Sequence, residues 1–193
     1  GRDPGDFAVF YRTHAQSRVL EESLRAHGVG YRVFGGVRFF DRAEVRDILA
    51  YLRLVANPAD ELALERAINR PARGIGDTTF ERIVQRARRD DASVWDTLVK
   101  IVDEGDPDIT AAPRKKLMAF RALVDQLRAE PGLPSEITSR VVEQTGYIEK
   151  LALDGSQDSQ DRIQNVLELI GSMRDYERDG ERAPGDPPTL EAY

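Results

Sequence analysis

From Asp41 to Met173 apolar residues recur every three to four positions, and that spacing predicts a chain built almost entirely of amphipathic helices. Val45, Ile48, Leu49 and Leu52 share one face of a first long helix, and Asp41 with Glu44 has the spacing of its cap. Asn57-Pro58 stops that helix, because proline cannot continue the hydrogen-bond ladder. A short helix over 61–69 ends at Pro71, and another runs from about Asp77 to Asp90. Ser93 with Asp96 caps a helix carrying Trp95, Leu98 and Val102. Pro113 sits in the first turn of the next, ahead of Leu117, Phe120, Val124 and Leu127. Ile137 and Val141 mark a helix ended by Gly146, and Ile163, Val166, Leu167, Ile170 and Met173 a last long one. Residues 154–161 read as a polar loop and 178–188 as a linker rich in proline and glycine. The chain has no internal repeat.

The first forty residues break this pattern. FAVFY (7–11) is a short apolar run, Thr13 to Gln16 has capping-box spacing, and Val19, Leu20 and Leu24 give a helix that Gly28 ends. YRVF (31–34) follows as a second strand, completing a β-α-β unit. Two parallel strands cannot form a stable sheet alone, so either other elements cover them or the chain is a piece of a larger protein. TLEAY (189–193) reads as the first turn of a further helix.

Composition narrows the class without deciding it. Of 193 residues 40% are hydrophobic and 32% charged, a balance that suits a helical protein with much solvated surface. There is no cysteine, so disulfides and thiolate metal sites are excluded and a reducing cytoplasm is the expected setting. No apolar run has membrane-spanning length, so no membrane partner is expected. There is no Gly-Lys pair for a phosphate-binding loop, no Gly-x-Ser-x-Gly elbow, and only His14 and His27 among histidines. The sequence shows no catalytic residues, no metal ligands and no cofactor site of its own.

Charge is distributed unevenly. The net charge is -6, yet residues 65–89 hold seven arginines against three acids, and acid gathers instead in DEGDPD (103–108). The stretch RPARGIGDTTFERIVQRARR (70–89) places a Gly-Ile-Gly turn directly before a helix N-terminus. Gly74 and Gly76 allow left-handed angles or close approach, Asp77, Thr78 or Thr79 can cap the helix, and exposed amides there make an anion site that fits phosphate. Arg70 and Arg73 flank the turn. Phe80, Ile83, Val84 and Ala87 lie on one side of the helix and Arg82, Arg86 and Arg89 on the other, where they extend contact along a phosphate backbone. This is the logic of a helix-hairpin-helix clamp that reads backbone charge and shape. The same pattern also describes an ordinary helix-helix turn with a solvated basic face. YRTHAQSR (11–18) and GGVRFFDRAEVRD (35–47) are further candidates, the first as a ligand loop after a strand. In the second, Phe39-Phe40 stands just before a helix and reads as core.

Three stretches together resemble consecutive segments of the UvrD/PcrA/Rep helicases: FAVFYRTHAQSRVLEESL, YRVFGGVRFFDRAEVRDILAYLRLVANPAD and INRPARGIGDTTFERI. The resemblance is close over about residues 7–90 and covers several motifs in register. It implies a mainly α fold, in which residues 1–40 belong to a RecA-like motor domain (2A), 41–188 to its helical 2B insertion, and 189–193 to a following helix. It further implies an ATP- and Mg-dependent 3′-to-5′ DNA translocase as parent, with the nucleotide site outside this chain. By the family's pattern Arg12, Thr13 and His14 face single-stranded DNA, with His14 where asparagine is usual. Arg73, Gly74, Ile75, Gly76, Thr78 and Thr79 touch the duplex ahead of the motor. The expected partners are a duplex/single-strand junction and the remaining motor domains. The rival expectation is a protein-interaction or autoregulatory module whose arginine face meets an acidic partner or the motor itself.

Overall fold

The computed structural model describes residues 3–11, 16–33 and 38–179. Among them the chain forms nine α-helices: α1 (Ser17–Ala26), α2 (Ala43–Ala56), α3 (Glu61–Ala67), α4 (Asp77–Asp90), α5 (Val94–Glu104), α6 (Ala111–Ala129), α7 (Pro134–Thr145), α8 (Tyr147–Ala152) and α9 (Gln157–Asp179). The protein is mainly helical, as the apolar spacing predicts.

The axis of the fold is α2. Val45, Ile48, Tyr51, Leu52 and Leu54 are all buried, and they point in too many directions for a single apolar face. The helix is accordingly enclosed, with α3, α6, α7 and α9 packed around it. On one flank α5 lies between α4 and α6, and on the other α8 returns against α7 and α9. Local signals set the boundaries. The Asp60 carboxylate accepts from Ala63 N at 2.9 Å to cap α3, and Ser93 Oγ accepts from Asp96 N at 3.0 Å to cap α5. Pro134 opens α7, and Gly146 ends it in a left-handed conformation from which α8 starts at once. Gly146 thus ends α7 where the sequence places its end, while α8 is not among the expected helices.

Three expectations need correction, the first being that α9 starts at Gln157, inside the stretch 154–161 expected as a loop. Among the described residues, 7–11 and 31–33 form no strand ladder; only the helix of the expected β-α-β unit is present. The reason is the one that made the unit suspect: two short parallel strands have no neighbour to satisfy their outer edges. The cap of α2 also differs. Asp41 lies in a 3-10 turn, Phe39–Asp41, and Arg42 takes the cap position without a side-chain cap bond. Glu44 is instead drawn inward, accepting from Asn165 Nδ2 at 2.6 Å. Phe39 is fully buried with Phe40 packed edge-on at 5.0 Å, so this pair is core.

Polar contacts dock α1 on this body. The guanidinium of Arg18 meets Glu168 of α9 at 2.6 Å, Glu22 at 2.6 Å and Asp175 of α9 at 3.1 Å. Arg42 donates to Asn165 Oδ1 at 2.7 Å and to Ser17 Oγ at 2.9 Å. The apolar face of α1 contributes less: Leu20 and Leu24 are half-buried and Val19 is exposed.

Candidate nucleic-acid interface

The segment between α3 and α4 is a hairpin whose inner side is fully occupied. Ile75 is buried and anchors it to the core. Tyr51 Oη lies 2.6 Å from Arg70 O and 2.9 Å from Ala67 O, donating its single proton to one at a time. Burial pushes the Tyr51 phenol well above its ordinary range. Arg73 folds inward over the same ring: its Nη1 is 3.1 Å from Arg70 O, 3.1 Å from Pro71 O and 3.3 Å from Ala67 O. The guanidinium stacks 5.5 Å from the Tyr51 ring centre and 5.7 Å from that of Phe120. Asn69 Oδ1 accepts from the amides of Arg73 at 2.8 Å and Ile75 at 3.3 Å. Lys116 of α6 donates to Gly74 O at 2.8 Å and Lys150 of α8 to Ala72 O at 2.7 Å.

What is left over is a set of donors. The amides of Gly74, Gly76, Asp77 and Thr78 have no hydrogen-bond partner among the described residues. They cluster at the start of a 14-residue helix, where the dipole adds positive potential. Gly76 is the cap of α4, in place of the expected Asp77, Thr78 or Thr79; an extended glycine just before the first turn leaves those side chains inside the helix. The two glycines differ in kind. Gly74 has φ +70 and needs glycine for its backbone, whereas Gly76 has φ -77 and a side chain there would meet open space. Nothing among the described residues requires glycine at 76. Chemically, the arrangement can accept an anion on a bare backbone surface.

The expected arginine stripe is placed otherwise. Arg86 pairs with Asp90 at 2.6 Å and Asp106 at 2.8 Å, and Arg82 donates to the carbonyl of Asp108. The hydrogen bond from Arg86 holds the Asp90 carboxyl below its usual range. The turn at 106–108 is thus folded onto α4, where Arg86–Asp106 is the one ion pair between the two charge runs among the described residues, while Asp103 pairs with Arg121 of α6 at 2.6 Å. Arg89 is largely exposed, as is Arg70 beside the hairpin, and Thr78 is exposed while Thr79 is half-buried. Arg12, Thr13 and His14 lie outside the described residues, as do Gly35 and Gly36. Among the described residues no cluster of three or more His, Cys, Asp or Glu is placed to hold a metal, and no helix is long and apolar enough to cross a membrane.

Sequence reasoning missed two features here. Lys116 and Lys150 lie 42 and 78 residues from their hairpin carbonyls, and no local signal points to them. An open groove of about 1020 Å³ also runs from the hairpin between α2 and α3, lined by Phe40, Arg46, Leu49, Arg53, Leu62 and Arg70 among others. Arg46 and Arg53 are seven residues apart on α2, a spacing that could have shown they share a face.

The described residues thus form a helical body with a glycine hairpin whose amides are left without partners and an N-terminal helix docked by polar contacts. Residues 2–186 match the family described as the UvrD-like helicase C-terminal domain, and the chain belongs to that family. It is 36% identical over 182 residues to the ATP-dependent DNA helicase PcrA of Bacillus subtilis (strain 168), covering 93% of this chain and 24% of that protein. It is 37% identical over 171 residues to DNA helicase II of Escherichia coli (strain K12), covering 88% of this chain and 24% of that protein. The chain therefore spans about a quarter of the length of these curated relatives.

Proposed function

We propose that this chain is the duplex-gripping accessory region of an ATP-dependent 3′-to-5′ DNA helicase acting in repair or replication. The observation that carries the reading is the hairpin at 69–78, in which the carbonyls of Arg70, Pro71, Ala72 and Gly74 accept side-chain donors while the amides of Gly74, Gly76, Asp77 and Thr78 are unpaired among the described residues. Those amides, with Arg70 beside them, bind duplex phosphates ahead of the motor. In this reading Arg73 and Ile75 build the hairpin and do not touch DNA. Arg82 and Arg86 serve the same supporting role, because their partners are Asp90, Asp106 and Asp108.

Residues 41–188 form the 2B-type insertion, residues 1–40 begin the 2A motor domain, and Arg12, Thr13 and His14 meet the single strand. In this reading turnover of ATP with Mg²⁺ belongs to other parts of the parent, as the missing Gly-Lys pair for a phosphate loop suggests. The parent works in the cytoplasm, on a duplex/single-strand junction, with its own motor domains as the second partner.

The test is fluorescence anisotropy of the chain with a hairpin duplex carrying a single-strand tail, over a salt series. Duplex phosphate contact gives a linear fall of log affinity with log salt, about -0.9 per neutralised phosphate. An absence of binding at low salt by the folded chain refutes the reading.

A second reading is favoured by one observation. Leu62 is 74% exposed on the wall of the α2/α3 groove, and DNA does not reward an exposed leucine. A protein partner or a motor domain seated there would bind with weak salt dependence and lose affinity when Leu62 is replaced.

A further inference from the structure

The hairpin contains a repeated hydrogen-bond relay. Lys150 Nζ donates to Ala72 O at 2.7 Å, and the amide of the same peptide unit, on Arg73, donates to Asn69 Oδ1 at 2.8 Å. Lys116 Nζ donates to Gly74 O at 2.8 Å, and the amide of that unit, on Ile75, donates to the same Asn69 Oδ1 at 3.3 Å. Two alternate peptide units are thus each held between an ammonium and one shared amide oxygen. Each such chain polarises the peptide between its ends, so the members reinforce one another. Locking the units 72–73 and 74–75 fixes the orientation of the units between and after them. Those are the units that carry the unpaired amides of Gly74 and Gly76.

The two lysines reach the hairpin from different helices. Lys116 comes from α6 and Lys150 from α8, which do not otherwise belong to the α3–α4 turn. Lys116 is exposed and sits so close over the turn that a Cβ built on Gly74 would fall 2.6 Å from its Nζ. Of its three ammonium protons one serves Gly74 O, and no other partner for it is found among the described residues. Its charge therefore stands at the edge of the same amide cluster. Lys115, the next residue, is exposed and makes no hydrogen bond or ion pair with the described residues, so it supplies a control of equal charge.

We propose that Asn69, Lys116 and Lys150 form a clamp that presets the Gly-Ile-Gly hairpin for phosphate, with Lys150 a positioning residue and Lys116 both positioning the turn and contacting the bound phosphate. This rests on the duplex-binding reading above and extends its site to α6 and α8. Duplex affinity then depends on packing far from the hairpin in sequence, because any shift of α6 or α8 against α3 releases a peptide unit.

The experiment uses the whole chain with the tailed hairpin duplex in a salt series, comparing wild type with Lys116→Met, Lys150→Met, Lys115→Met, Lys116→Arg and Lys150→Arg. Thermal melts are recorded alongside to show that each variant is folded at the assay temperature. Lys150→Met should weaken binding several-fold with an unchanged salt slope. Lys116→Met should weaken it about tenfold and lower the slope by about 0.9, one phosphate's share. Arginine at either position should restore most of the affinity, and Lys115→Met should bind within about twofold of wild type. Folded methionine variants at 116 and 150 that bind as tightly as wild type overturn the clamp while leaving duplex binding intact. Equal losses in all three methionine variants also overturn it, in favour of a diffuse charge effect. No duplex binding by wild type removes the underlying reading itself.

Discussion

Replacing the two glycines of the hairpin separately distinguishes a turn that needs glycine to fold from a surface that needs glycine to bind. At Gly74 the φ of +70 is one that L-residues adopt at a cost of about 1–2 kcal/mol. A methyl there would also displace Lys116 from Gly74 O, and losing that hydrogen bond adds about 1 kcal/mol. Gly74→Ala should therefore destabilise the chain by about 2–3 kcal/mol, a fall in Tm of roughly 4–12 °C for a protein of this size. At Gly76 the φ of -77 suits alanine and the new methyl would meet open space. Alanine is a poorer helix cap than glycine, but it also narrows the unfolded ensemble by about 0.4–1 kcal/mol, so the two effects roughly cancel. Its Tm should stay within about 2 °C of wild type.

Binding should be ordered differently. In the proposed site a methyl at Gly76 would crowd an anion that must approach the neighbouring amides to about 3 Å. Gly76→Ala should lose about tenfold in duplex affinity while remaining fully folded, read by anisotropy with the tailed duplex beside a thermal melt by circular dichroism. If Gly76→Ala binds as wild type does, close approach of phosphate at this cap is wrong, whatever happens at Gly74.

Three further outcomes test the fold around the site. Asp106→Asn leaves Arg86 with Asp90 alone and weakens a buried acceptor that also serves the amide of Asp108 at 2.8 Å, so chemical denaturation should report a loss of about 1–3 kcal/mol. Arg18→Met leaves Glu22, Glu168 and Asp175 facing one another without their cation, and hydrogen exchange should show α1 losing protection while α2 keeps it. Burial raises the phenols of Tyr51 and Tyr147, the latter also held by its bond to Asp47 at 2.7 Å, above their unfolded value of about 10. Their share of stability is thus complete below pH 10 and lost as pH rises beyond it, because the unfolded phenol gives up its proton first. Stability measured by chemical denaturation from pH 8 to 11.5 should fall steeply at the alkaline end, and Tyr51→Phe should flatten that fall.

The helical body was legible because its signals are local. Ser93 and Asp96, Asn57-Pro58 and Gly146 act within a few residues of the boundaries they set, and apolar spacing reports a helix's own buried face. The strands were not legible in the same sense. FAVFY and YRVF carry strand composition, yet a strand exists only through a neighbour, and no ladder forms on the residues described here. The cap of α2 failed for a related reason. Asp41 and Glu44 have capping spacing, but Asn165, more than a hundred residues away, claims Glu44.

At the hairpin the same distinction separates the charges from the backbone. Counting arginines over 65–89 suggested a long phosphate track, but a count carries no information about which acids the fold will bring back. The turn 103–108 returns to α4 and occupies Arg82 and Arg86, and aromatic Tyr51 and Phe120 draw Arg73 inside. Charge runs of opposite sign separated by one amphipathic helix are within easy reach of each other, and the Arg86–Asp106 pair joins them. The glycines proved more informative than the arginines. Gly74 is explained by its own backbone angle, whereas nothing among the described residues requires glycine at 76, the position the proposed phosphate site would use. Lys116 and Lys150 complete the contrast: they carry no motif, and yet hold two carbonyls of the hairpin whose neighbouring amides, of Gly74 and Gly76, are unpaired among the described residues.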